Sequence, residues 1–417
     1  GKSIGPVRAW ALAAGGMVGG GIYISLGVVI EAAGSWAWLS FAIAGLAALI
    51  SAYSYGTLSN QFGRSGGAFE FLEEMDHLGI AGSLSWLLII GYTLTISVYA
   101  YAFGHYIAHS FGGSEMIIRA LALGVAILMI VLNLMGAGKL TGVEVVIVTG
   151  NLLILVVLAV MGILDWNPVA LGDGVPAKPI SAAFVGAAVI FISYEGFQLL
   201  SYEYNDLVEP KKYFVPVLVS ASIFVVAIYV AVTLGATMIL GAGGVVDGKE
   251  VALSNAAECI LGLPGLIGMT VAAAFATSAA INSTLFSTAK LAARIAKDKE
   301  LPKFWGHKNG NDIPDRAVIT LGVIAGILAI TGSLSSLVEA ASLVFVTTFG
   351  VVNYVCARTM AGRNLIAWSG TFLCVAIGIV LVYHLANSRL VPLMILAVLI
   401  LVSIFLRPMV LNHRGDH

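Results

Sequence analysis

Apolar runs of membrane-spanning length follow one another along almost the whole chain, separated by short polar breaks. A helix needs about 20 apolar residues to cross the hydrocarbon core of a bilayer. Twelve such runs are present, at approximately 7–31, 36–59, 82–110, 116–134, 143–164, 180–206, 214–240, 265–296, 316–331, 335–357, 365–386 and 390–411. The pattern predicts an all-α integral membrane protein. The third, sixth and eighth runs are long, which predicts tilt, a break or an extension into water. Three polar stretches have structure of their own. GRSGGAFEFLEEMDHLG (63–79) reads as a glycine turn and a short amphipathic segment, and KDKELPKFWGHKNGNDIP (297–314) is the most basic loop. GAGGVVDGKEVALSNAAECILGLPG (241–265) predicts a short helix with Ser254 as its N-cap.

Composition agrees with the pattern. The 417 residues are 59% hydrophobic and 10% charged, and mean hydropathy is +0.99. A soluble domain of this size needs more charge to wet its surface. Of the 21 Lys and Arg, all but Arg119, Lys178, Lys249 and Arg389 fall on one side of a twelve-span layout. The excess marks the cytoplasmic side, so a multi-pass protein of the cytoplasmic membrane with both termini inside is expected. A net charge of −1 says nothing about partners, and no nucleic acid is expected. Cys259, Cys356 and Cys374 show no CxxC spacing, so neither a disulfide framework nor a metal knuckle is supported. The opening Gly1-Lys2 reads as a trimmed terminus, and no cleavable leader is expected.

Two segments weaken a helix where lipid should strengthen it. GGMVGGGIYISLG (15–27) puts five glycines into seven positions near the middle of the first run, and each costs a helix interior about 1 kcal/mol relative to alanine. Close packing against another helix explains Gly15, Gly16 and Gly19 as readily as a break does. The contiguous Gly19-Gly20-Gly21 exceeds what a packing face needs. ISYEGFQ (192–198) places Glu195 and Gly196 near the middle of the sixth run. A carboxylate at that depth costs several kcal/mol unless protonated, paired or hydrated. Weak segments in spans one and six, each the first of five, point to an inverted-repeat secondary transporter. Opposed half-helix ends then face a zwitterion, free N–H groups towards its carboxylate and unpaired carbonyls towards its ammonium.

With GGMVGGGIYISLG, FISYEGFQLL, EYNDLVEPKKYFVP (203–216), AKDKELPKFW (296–305) and IPDRAV (313–318) in this order, the chain resembles the amino acid–polyamine–organocation (APC) superfamily of transporters. The resemblance implies five-plus-five inverted repeats with helices 1 and 6 broken and two extra C-terminal helices. Helices 1–5 then fall in 1–164, helices 6–9 in 165–331, helix 10 in 332–358 and helices 11–12 in 359–417. It also implies substrate binding by the amides of Gly20 and Gly21 and the carbonyls of Met17, Ile192 and Glu195. Tyr194 and Phe197 would gate or line the pocket, or simply pack; Tyr92, Thr95 and Tyr99 are further candidates for its wall.

In sodium-coupled relatives, positions matching Thr277 and Ser278 in AAAFATSAAINST (272–284) ligate sodium with the carbonyls of Gly15, Val18 and Ala274. The alternative is that each hydroxyl bonds back to its own helix. Some proton-coupled relatives carry a lysine where Asn151 stands, and asparagine cannot change charge. Sodium coupling is therefore the expectation, with Glu195 as the proton alternative. His105 and His109 lie four apart towards one end of the third run and are not read as a metal site. Beyond a possible sodium ion no metal and no cofactor is expected. The expected activity is cation-coupled movement of a neutral amino acid by alternating access. Exchange, a cationic amino acid or polyamine, and a chloride-coupled or channel-like member of the same fold remain alternatives. No HExxH, P-loop or GxSxG is present, so an enzyme is not expected.

Overall fold

The computed structural model describes residues 4–75, 78–136, 143–360 and 364–388, together with 390, 394, 397 and 401. Among them the chain is helical, with a lone bridge between Ile4 and Leu207. The helices are α1 (Pro6–Val18), α2 (Gly21–Ala33), α3 (Ala37–Phe62), α4 (Gly67–Glu73), α5 (Leu78–His109), α6 (Glu115–Leu134) and α7 (Val143–Leu164). They continue as α8 (Ala182–Val189), α9 (Pro210–Asp247), α10 (Ala252–Leu261), α11 (Leu263–Lys297), α12 (Asp315–Thr331), α13 (Leu334–Thr359) and α14 (Leu365–Ser388). Between α8 and α9 run two 3₁₀ segments, Phe191–Tyr194 and Phe197–Asp206.

Among the described residues eight helical stretches are long and apolar enough to cross a membrane, and a ninth counts if α8 and 191–206, bent by 59°, form one span. One of the eight is the 57-residue run Pro6–Phe62. At 1.5 Å per residue it would be about 85 Å long, far beyond one crossing, and it turns at Gly34, whose φ of 59° suits glycine. The ends follow local chemistry. Pro6 and Pro210 start α1 and α9, positions where the missing N–H costs nothing, and Gly63 in the left-handed conformation closes α3. The 38 residues of α9 exceed one span and change direction at Gly241 (φ 70°, ψ 158°).

Two local expectations change. The 63–79 segment contains α4, of which Gly67 to Leu72 are buried rather than amphipathic. Its Glu70 is accommodated because Arg64 (3.4 Å) and Arg294 of α11 (2.7 Å) neutralise it. Ser254 is not an N-cap. A turn closed by the Val251 N–H on the Gly248 carbonyl (2.6 Å) starts α10 earlier, with Val251 rather than Ser254 at the N-cap, leaving Ser254 buried inside it. The run predicted at 390–411 lies outside the described residues, save 390, 394, 397 and 401.

Candidate functional site

The two weak segments meet inside the bundle. Helix α1 ends at Val18, Gly20 leaves the helical region (φ −147°, ψ −20°), and α2 restarts at Gly21. The first amides of α2 therefore have no carbonyl four residues back to bond. The sixth run stops at Val189, passes through 3₁₀ geometry and breaks at Gly196 (φ 133°, ψ −38°). Only glycine tolerates that conformation well, and space demands it too. A Cβ on Gly196 would strike the backbone of Gly16, and one on Gly16 would stand 2.9 Å from the Gly196 carbonyl oxygen. Helix α1 also presses on α11, since a Cβ on Gly19 would meet that of Ala280 at 2.8 Å. Both readings of the glycine run thus apply: Gly15, Gly16 and Gly19 serve close packing, and the chain breaks at Gly20.

Tyr229 of α9 holds the two breaks together. Its buried hydroxyl lies 2.7 Å from the Met17 carbonyl and 2.9 Å from that of Ser193. A hydroxyl with one proton donates to one of them at a time. Ser25 and Ser193 form a second tie between α2 and the sixth run. Ser342 of α13 accepts from the Ile192 N–H (3.0 Å) and donates to the Val189 carbonyl (3.0 Å), satisfying groups that the break releases. Removing the Tyr229 hydroxyl takes away the one donor that the two buried carbonyls share, which costs about 1–3 kcal/mol. Tyr229→Phe is therefore expected to melt several degrees below the parent in detergent, and an unchanged midpoint would show the tie to be dispensable.

Glu195 is fully buried and its partners are neutral. Gln198 donates to Oε1 at 2.9 Å, and the Tyr99 hydroxyl donates to Oε2 at 3.3 Å. Gln198 in turn accepts the Gly196 N–H at 2.8 Å. The Tyr99 ring lies over Gly20, where any Cβ would collide with it. One tyrosine of α5 thus touches the first break and, through its hydroxyl, the acid of the second.

A cavity of about 280 Å³ adjoins this junction between α1, α6, α7 and α11. Gly15, Gly16, Gly196, Ser278, Glu144 and Glu203 are on its wall. Arg8 faces Glu144 at 3.9 Å and Lys290 holds Glu203 at 2.9 Å. A Lys249–Glu31 ion pair joins the end of α9 to α2.

Several candidate residues lie elsewhere than expected. Tyr194 donates to the Phe41 carbonyl (2.7 Å), and Phe197 packs on Tyr55 and Phe349; neither is on the cavity wall. The Ile192 carbonyl accepts the Glu195 N–H at 2.9 Å. Tyr92 pairs with the Tyr202 hydroxyl (3.1 Å), and Thr95 bonds back to Gly91 (3.0 Å). Asn151 accepts from Tyr23, while Val148 is the α7 residue facing Gly15. Of the proposed sodium ligands, Gly15 and Ser278 share the cavity wall, Val18 is buried and Ala274 half-buried. Thr277 bonds back to Ala273 (2.7 Å) and Ala274 (3.2 Å), and the Gly15 carbonyl accepts Gly19 N–H (2.7 Å). These oxygens keep a lone pair for a cation. His105 and His109 line a separate cleft with Asp247 and Glu250.

Sequence reading missed Tyr229, Gln198, Ser193, Ser25 and Ser342. A signal existed for two of them: Gln198 is an amide one turn beyond Glu195, and Tyr229 is a lone phenol in the middle of an apolar run.

The profile of the amino acid permease family matches residues 4–405. The chain belongs to the amino acid permease family. The permease is 27% identical over 358 residues to the inner membrane transport protein YbaT of Escherichia coli (strain K12), covering 81% of each chain. It is 24% identical to the serine/threonine exchanger SteT of Bacillus subtilis (strain 168), covering 72% of this chain and 69% of SteT. Its fold is that of MhsT, whose crystal structure in complex with L-phenylalanine superimposes with a TM-score of 0.61 at 15% identity. That match covers 97% of the permease and 96% of MhsT. The permease is an amino acid transporter of the APC superfamily and not an enzyme.

Proposed function

We propose that the permease carries a neutral amino acid across the cytoplasmic membrane by alternating access, with both termini inside. One observation carries the reading: two interrupted helices touch at Gly16 and Gly196, and a cavity lined by both glycines opens beside that contact. The substrate carboxylate takes the amides of Gly20 and Gly21, and its ammonium takes the carbonyls of Glu195 and Met17, the latter released by Tyr229. Small and apolar cavity walls and the likeness to a serine/threonine exchanger support a neutral substrate.

Helix contacts support the repeat. α3 packs on α9, α5 on α11 and α6 on α12, which pairs spans two with seven, three with eight and four with nine. A pseudo-two-fold axis through the bundle brings equivalent helices together in this way. Splitting Pro6–Phe62 into two crossings and counting both α12 and the bent pair of α8 with 191–206 gives the layout of spans one to eleven.

Coupling is assigned to a proton on Glu195, because its buried carboxylate has neutral partners and lies beside the break. A second reading, sodium held by Gly15, Val18, Ala274, Thr277 and Ser278, is favoured by Gly15 and Ser278 sharing the cavity wall. The double variant Thr277→Ala/Ser278→Ala separates them. Proton coupling predicts accumulation equal to the parent under an inward proton gradient without sodium; accumulation in the parent that requires a sodium gradient, and falls tenfold or more in the variant, supports the second reading. Counterflow tests the substrate. Labelled serine or threonine exchanged into preloaded proteoliposomes is expected to be competed by neutral amino acids, and competition by arginine alone would replace the neutral substrate with a cationic one.

A further inference from the structure

Beyond the transport path, the end of α11, the 3₁₀ turn Lys303–Gly306 and the start of α12 enclose a cleft of about 690 Å³. Lys290, Arg294, Lys297, Lys303, Lys308 and Arg316 line it, with Asp312 the acid among its lining residues. Loops on one side of a membrane protein collect lysine and arginine without any ligand. Three of these cations follow that pattern and are neutralised: Lys290 by Glu203 (2.9 Å), Arg294 by Glu70 (2.7 Å) and Lys308 by Asp312 (2.8 Å). Lys297, Lys303 and Arg316 form no ion pair among the described residues, yet they converge on one concavity. Arg316 is further fixed over the Phe304 ring, 5.4 Å from its centre.

We propose that this cleft binds the phosphate of an anionic phospholipid headgroup. A phosphate offers several acceptor oxygens to lysine and arginine donors, and basic pockets beside membrane helices are suited to it. The neighbouring surface selects the lipid over a free anion. Ile319, Val323 and Ile327 follow Arg316 along one face of α12 and are 43%, 46% and 50% exposed. A phosphate held by Lys303 and Arg316 leaves its acyl chains running along that stripe.

The site also touches the transport path. Lys290 lines the basic cleft while its partner Glu203 lines the cavity beside Gly196. A headgroup competing for Lys290 loosens that tie, so occupancy biases the cavity wall.

The test is thermal unfolding of the purified full-length protein in neutral detergent. Dioctanoyl phosphatidylglycerol, dioctanoyl phosphatidylcholine and inorganic phosphate are titrated separately. Phosphatidylglycerol is expected to raise the midpoint by about 3 °C or more, and phosphatidylcholine is not. Lys303→Gln/Arg316→Gln loses at least half of that shift, Lys303→Arg/Arg316→Lys keeps it, and Lys211→Gln, exposed and outside the cleft, keeps it in full. Equal shifts with both lipids, or an unchanged response in the glutamine variant, overturn the site. A full shift from inorganic phosphate alone overturns the lipid as its source.

Discussion

Gly196→Ala is expected to lower substrate uptake to below about one-tenth of the parent while membrane insertion is unchanged. Two costs fall on one methyl group. The native φ of 133° lies where an L side chain is strained, at about 1–3 kcal/mol. The new Cβ would also occupy the Gly16 backbone, so α1 and the sixth run have to separate. Separation moves the amides of α2 away from the carbonyls of the second break, the groups proposed to hold the two ends of a zwitterion. Insertion depends on the apolarity of the spans, which one methyl does not alter. Uptake into proteoliposomes, set beside the yield of monodisperse protein, checks both halves. Normal uptake would mean that the close contact of the breaks has no part in recognition.

The second large effect belongs to Glu195→Gln. Glutamine keeps the size and an acceptor for the Tyr99 hydroxyl but removes the titrating group. Exchange of substrate across the membrane should survive, because neither the amides of Gly20 and Gly21 nor the break itself is touched. Accumulation driven by a proton gradient should fall to equilibrium. The reason is the cost, several kcal/mol, of a carboxylate charge at this depth between neutral donors. The carboxyl must shed that charge to a proton or match it with a cation as the site changes exposure. Counterflow measured beside gradient-driven uptake separates the two functions. Loss of both would make the Glu195 carboxylate a substrate ligand, and retention of both would remove it from coupling.

The fold was legible in sequence because lipid imposes one rule, a long apolar run per crossing, and α7 spans the predicted 143–164. The weak segments were legible for the same reason: five glycines and a carboxylate have no cause to be there unless backbone is exposed or packed tightly. What sequence could not supply was direction. Whether the Glu195 side chain faces Tyr99 depends on a 3₁₀ turn whose geometry no periodicity announces. Tyr229 is a single phenol among many, and it becomes the tie between the breaks only when α9 lies across both. Thr277 shows the converse, since the bland expectation that a small hydroxyl bonds back to its own helix describes where its proton goes. Ser254 misled because capping residues are common in turns, and a turn already closed by Val251 needed none.

The most direct test of proton-coupled alternating access is accumulation of labelled neutral amino acids in proteoliposomes under an inward proton gradient without sodium, with an inward sodium gradient alone in parallel. Saturable accumulation above equilibrium is expected with the proton gradient, competed by unlabelled substrate and accelerated by substrate inside. Uptake that rises linearly with concentration, without competition or acceleration, would contradict alternating access and make the path through the two breaks a channel.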